Sequence, residues 1–261
     1  MDTKNYVLGK GKLYFAQWAS ATDETTSGMR YLGNTTEFNL TVASETLDHY
    51  DSDEGVNTKD SSVQTQLNRT GTITTDNMSD ENLAMFLLGD VGSVSQAATP
   101  VTGEYLNGGI ALNGEYYYQV GESASNPSGV RGIGSVTVTV DPDGSPSTAV
   151  LDTDYTIDTD LGLVYVIAGG ALDGAVGSID YTPTANSRSQ VVTNSNAVYG
   201  TLKFVSTNPQ GKLKDVYIPS CQLTANGDLG LKGTDWQSMG FNLSVNQKTG
   251  YAAIYVDGRP V

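Results

Sequence analysis

A polar stretch held between two alternating segments limits most what this chain can fold into. Phe38, Leu40 and Val42 alternate with Asn39 and Thr41, the period-2 pattern of a half-buried strand. Leu67, Gly71 and Ile73, set among Asn68, Arg69, Thr70, Thr72 and Thr74, predict a second strand. The segment between them is too long and too polar for a tight hairpin turn, and its pattern predicts a long acidic loop. Loops beyond about 12–15 residues are uncommon in compact domains unless they are functional or disordered. Ser79 then opens a helix: its hydroxyl caps the first turn, where Asp80 and Glu81 complement the dipole. Leu83, Phe86 and Leu87 fall on one face, and Gly89 is placed to end it near Leu88.

With 261 residues the chain has room for one large or two modest domains. Hydrophobic residues make up 38% and charged ones 16%, so the surface is mostly uncharged polar. Thr, Ser, Asn and Gly between apolar positions favour many short strands over helices. A net charge of −15 is the opposite of what grips nucleic acid, although such a protein can sit beside DNA and repel it. The single cysteine, Cys221, excludes an intrachain disulfide framework and reads as a buried small hydrophobe. The N-terminal residues carry no apolar run of signal-peptide length, and the longest apolar run, Leu83 to Leu88, is far short of a membrane span. The expectation is synthesis and folding in a cytoplasm with no membrane partner. The Asn-x-Thr/Ser triplets at Asn34, Asn39, Asn68, Asn77 and Asn242 are then chance.

Taken in order, Lys12 to Gln17 forms a strand after the Gly9–Gly11 turn, Ala19 to Met29 a loop, and Arg30 to Gly33 the approach to Phe38. Val91 to Thr102 is small and polar and predicts a linker. Strands then follow at Glu115–Val120, Ser135–Val140, Asp154–Ile157, Leu163–Ile167 and Ser178–Tyr181, joined by turns such as Asp141-Pro-Asp-Gly144. Longer strands return at Gly200–Ser206, Lys214–Ile218, Gln222–Leu231, Met239–Val245 and Ala252–Val256. The plan is a mainly β protein. Residues 1–97 and 190–261 build one β domain, and residues 98–189 form a small all-β domain inserted into it.

No catalytic constellation emerges. His49 is the sole histidine and lies in the polar stretch, where general-base geometry is not preorganised. Asp48, Asp51, Asp53 and Glu54 form an acidic run, but Gly55 and the following residues miss the spacing of a calcium loop. Gly9–Lys12 lacks phosphate-loop spacing. In Tyr116–Tyr118, alternation puts Tyr116 and Tyr118 on one face and Tyr117 on the other, with a core on one side; a carbohydrate platform is the sharper alternative. The residues call for no cofactor and no metal.

The chain resembles the major tail tube proteins of long-tailed bacteriophages. Leu13–Gln17, Arg30–Val42, the acidic stretch ending at Asp60, Ser79–Asp90 and Gly200–Val245 carry the resemblance, which is one of texture over both ends of the chain. The middle block is similar to β modules of phage virion proteins and would be an Ig-like decoration. The resemblance implies a two-sheet β-sandwich or barrel with one short helix. It implies hexameric rings stacked into a tube in the virion, around a tape-measure protein and against tail-tip and terminator proteins, with DNA passing the lumen without specific binding. It also implies that the long loop is unordered in the monomer and packs on the next ring. Leu47 and Tyr50 would be its apolar anchors, with His49, Asp51, Glu54 and Lys59 beside them, and Lys59 would meet acid on the next ring. Three alternatives stand beside this one: a surface carbohydrate-binding or adhesin-like β protein, a glycan-cleaving enzyme of a virion, and a secretion-system tube protein of the same fold.

Overall fold

The computed structural model describes residues 6–53 and 55–259. From the N-terminal side come β1 (Gly11–Gln17), β2 (Arg30–Tyr31), β3 (Thr35–Asp51), β4 (Thr58–Thr75), the helix α1 (Asp80–Phe86) and β5 (Gly89–Gln96). The middle holds β6 (Val101–Tyr105), a 3₁₀ turn at Leu106–Gly109, β7 (Tyr117–Gln119), β8 (Ile133–Val140), β9 (Ser147–Thr148), β10 (Tyr155–Asp158), β11 (Leu163–Val166), β12 (Gly177–Pro183) and β13 (Asn186–Thr193). Then follow β14 (Val198–Ser206), β15 (Lys214–Asn226), β16 (Met239–Val245) and β17 (Tyr255–Gly258). The protein is mainly β, with one α-helix among the described residues, and its chain divides into two compact units, 1–92 with 191–261, and 93–190.

The first unit is one antiparallel sheet in the order β2-β1-β14-β15-β16-β4-β3, with β17 on β15. Alternation builds it: Leu13 and Phe15, Val198 and Leu202, Met239, Phe241 and Leu243, and Ile73 all point to one side and are buried there. Met85 and Phe86 of α1 close this core, Phe86 meeting Phe241 edge-on at 6.0 Å. Burying each such Leu or Phe contributes about 1.5–3 kcal/mol. The sheet is open. Among the described residues β2 and β3 pair with nothing further, so the barrel alternative is not closed within one chain.

Lys214–Ile218 and Gln222–Leu231 were expected as two strands, and they are one, β15, ending at Asn226. The interruption is Pro219, which has no N–H for the ladder; the register with β14 shifts between Gly200 and Leu202, and the Thr201 hydroxyl donates to the Pro219 carbonyl at 3.0 Å. The last strand begins at Tyr255, later than the expected Ala252. Helix α1 starts as its sequence predicts, with the Asn82 N–H donating to Ser79 Oγ, but it ends at Phe86. Leu88, not Gly89, takes the left-handed conformation, at φ 53°. Gly89 instead opens β5, where a Cβ would stand 2.2 Å from the Val192 carbonyl oxygen. The buried residues are Asn82, Ala84, Met85 and Phe86; Leu83, as expected, packs partly buried against the core, whereas Leu87 is exposed.

The largest departure from the sequence reading is the polar stretch. It is a long β-hairpin: β3 and β4 pair from Thr35 opposite Thr75 out to Asp51 opposite Thr58. The expected loop shrinks to the few residues between. A hairpin ladder satisfies backbone groups strand to strand without needing a buried face, and the Thr- and Ser-rich stretch suits it. Register shifts between Glu45 and Thr46 and between His49 and Tyr50 break the alternation that would have announced it.

In the second unit a three-stranded sheet, β10-β11-β7, and a four-stranded sheet, β6-β12-β8-β9, share one core that includes Val138, Val140, Val164, Val166 and Ile179. Its acids hold loops. Asp154 accepts the Val150 and Ala171 N–H groups, each at 2.7 Å, and Asp173 those of Gly114 and Gly169 at 2.9 and 2.8 Å. These bonds hold both carboxyls below their ordinary range. The stretch from Val91 is not a structureless linker: β5 pairs with β13, and β6 follows. Nor does Tyr116 share a buried face with Tyr118. Tyr116 and Tyr117 are both exposed because the strand begins only at Tyr117, whose ring lies 4.8 Å from that of Tyr165.

Candidate assembly surface

Three features of the first unit lie outside its core: the hairpin end, the sheet face turned away from the core, and the two sheet edges. Past Val42 and Arg69 the hairpin has left the core, and its nine β3 residues from Ala43 to Asp51 extend about 30 Å at roughly 3.3 Å each. Of the three alternating residues that read as a half-buried strand, only Phe38 packs on the core. Leu40 and Val42 continue its row into solvent, Val42 being 63% exposed.

The sequence-derived residues that are described sit on this projection. Leu47 faces Val63 across the ladder, and the two form an exposed apolar pair at 69% and 61%. Tyr50 stands opposite Lys59 and is half exposed. His49 Nδ1 lies 2.6 Å from Asp60 Oδ1. Asp51 accepts the Asp53 N–H at 3.0 Å, a local turn bond. Glu54 lies outside the described residues. Lys59 meets its acid at home: Nζ lies 2.6 Å from Asp48 Oδ1, which also accepts from the Ser62 hydroxyl. The Lys59 bond, then the Ser62 bond, hold the Asp48 carboxyl below its ordinary range. No three of the described His, Cys, Asp and Glu side chains converge as metal ligands would.

On the face away from the core, Asn39, Thr72, Asn242 and Thr224 make one cross-strand row and Thr41, Thr70, Ser244 and Gln222 the next. Six of these uncharged polar side chains, from four strands, line a shallow depression of about 330 Å³ together with Gly71 and Leu243. Toward β2 the same face becomes aromatic, with Tyr31, Tyr14, Lys203, Tyr217 and Tyr255 aligned across five strands. The polar rows follow from the same alternation that buries Phe241 and Leu243, so the sequence held this signal.

The edges are unlike. The β2 edge carries Arg30, with Lys12 Nζ 5.9 Å from the centre of the Tyr31 ring. The β3 edge carries Glu37, Glu45, Asp48 and Asp51. Sequence reasoning missed the Arg30 side, where one clue was an arginine beside the aromatic strand it pairs with.

An open antiparallel sheet with unlike edges and a long projecting hairpin defines the class. The chain belongs to the family described as Protein of unknown function UCP028589, which matches residues 6–252. No curated protein matches it.

Proposed function

We propose that this is a structural rather than catalytic protein, which polymerises head to tail into stacked rings and so builds the tail tube of a long-tailed phage. The observation that carries the reading is the open sheet whose two unpaired edges differ in charge. Unpaired edges invite strand pairing, and unlike edges on one molecule favour a heterologous contact that closes as a ring. The projecting hairpin then reaches a neighbour, with Leu47, Val63 and Tyr50 supplying apolar contact. The uncharged polar rows of this face suit a lumen that lets a net-negative polymer slide, since those rows offer no cation to hold it. In this reading the protein is made in a host cytoplasm and ends in a virion. It surrounds a tape-measure protein, ends against tail-tip and terminator proteins, and carries residues 93–190 as an Ig-like decoration.

One observation favours a second reading, a carbohydrate-binding surface protein: the exposed Tyr117, its ring against the half-buried Tyr165, with the exposed Tyr116 beside it in sequence. That reading predicts glycan retention without self-association. Negative-stain micrographs of concentrated protein, alone or with a tail-tip template, separate the two. Hollow tubes are the expected result, and a chain lacking Leu47–Asn57 is expected to fold yet stay monomeric. Monodisperse wild-type monomers under every condition refute polymerisation, and tubes from the deletion variant refute the role of the hairpin.

A further inference from the structure

Resting on the polymerisation reading, we propose that a pocket around Arg30 at the β2 edge receives the acidic end of the β3–β4 hairpin of a second copy of this chain.

The pocket has a volume of about 510 Å³ and is lined by Phe15, Gln17, Trp18, Thr26, Gly28 and Arg30. Arg30 is half-buried, and its Nη2 lies 3.8 Å from Met85 Sδ. No carboxylate of the described residues comes within 4.0 Å of it, although Glu81 acts on it from further off. Burial lowers the guanidinium pKa from its usual value, the mark of a cation short of solvent. A partly desolvated cation with no carboxylate in contact is unfavourable, and an arriving carboxylate relieves it.

The hairpin end has the complementary make-up. Lys59 pairs with Asp48 and the His49 ring hydrogen-bonds to Asp60, while Asp51 and Asp53 have no cation within 4.0 Å among the described residues. Beside them stand the exposed Tyr50 and Val56, apolar groups that a partner surface can cover. Position rules out the chain's own pocket. Five strands separate β3 from β2 in the sheet, and the hairpin leaves from the β3 side. The occupant is therefore a second copy, and every copy both gives a hairpin and receives one.

That reciprocity supplies the test. Arg30→Glu sets like charges against an unaltered hairpin, and Asp51→Arg/Asp53→Arg does the same from the other side. Neither protein alone is expected to form tubes. An equimolar mixture is, because each altered hairpin then finds an altered pocket and the two proteins alternate. Thermal melts matching wild type establish that both are folded. Arg30→Met, which keeps the contact with Met85, is expected to raise the critical concentration for assembly at least about tenfold, the equivalent of ~1.4 kcal/mol, and Arg30→Lys to restore most of it. Tubes from Arg30→Glu alone, or a folded mixture that stays monomeric while wild type polymerises, overturn the inference. A wild-type chain that never polymerises overturns the reading beneath it and this one with it.

Discussion

Replacing Asn82 tests how helix α1 is fastened to the sheet. Asn82 is fully buried, and its Nδ2 donates to the Leu32 and Asn77 carbonyls, both at 2.9 Å. The two acceptors differ. Leu32 O also receives Thr75 Oγ1 at 3.4 Å and Asn77 Nδ2 at 3.3 Å, so it keeps donors when Asn82 is lost. Asn77 O has no such reserve among these bonds. Asn82→Leu, close to isosteric, therefore orphans one carbonyl, which costs about 1–3 kcal/mol. It also removes Oδ1, which has no partner among the described residues, so the lower part of that range applies, about 1–2 kcal/mol. Asn82→Asp sets a carboxylate against the same two carbonyls, and an uncompensated buried charge costs about 3–5 kcal/mol. Near 2–4 °C per kcal/mol for a unit of this size, the expected falls are roughly 2–8 °C for Leu and about 6–20 °C for Asp. Calorimetry reads both, and the transition of residues 93–190 should not move. The buried carboxyl has a raised folded-state pKa, so its penalty is full at neutral pH and shrinks as pH falls through that value. Equal losses for Leu and Asp, or losses under about 0.5 kcal/mol for both, refute the account.

Two further outcomes follow from named contacts. The Cys221 thiol is fully buried, donates to the Gly200 carbonyl at 3.3 Å and has its pKa pushed up to about 12 by burial; a maleimide should label it only after unfolding, and labelling of the native protein at the rate of a free thiol would contradict its placement. In NMR titrations Asp48 should ionise below the ordinary carboxylate range and move most of the way back in Lys59→Gln, with global stability nearly unchanged because the pair is exposed. An unmoved midpoint would mean that Lys59 does not hold Asp48 in solution.

Burial wrote the legible part of this fold into the sequence. Gly11–Gln17 and Met239–Val245 face a core on one side, so Leu13 and Phe15, and Phe241 and Leu243, alternate with polar neighbours. The start of α1 was legible because Ser79 caps it chemically, whereas its end depended on Val192, a residue distant in sequence that excludes any side chain at Gly89. The hairpin was hidden for the opposite reason. Its outer half buries nothing, its pairing is entirely between backbones, and the extra residues Asp60 and Thr65 break the period. The candidate site divides the same way. Leu47 and Tyr50 stood out as apolar residues in a polar stretch, but that Lys59 is bonded to Asp48 could not be read without the cross-strand register. Arg30 drew no notice because its environment comes from Met85 and Trp18, brought to it only by the fold.

The pairing of β5 with β13 has a practical side. Asn194 N donates to the Leu88 carbonyl at one end of this ribbon, and Gln96 Nε2 donates to the Thr184 carbonyl at the other. The chain therefore leaves the large sheet and returns to it along neighbouring tracks, about 4.8 Å apart. Residues 93–190 are in effect a cassette on a two-wire socket. A short turn joining the tracks would delete them, and another domain with adjacent termini could be plugged in. The scaffold of residues 1–92 and 191–261 would be left to carry whatever passenger replaces them.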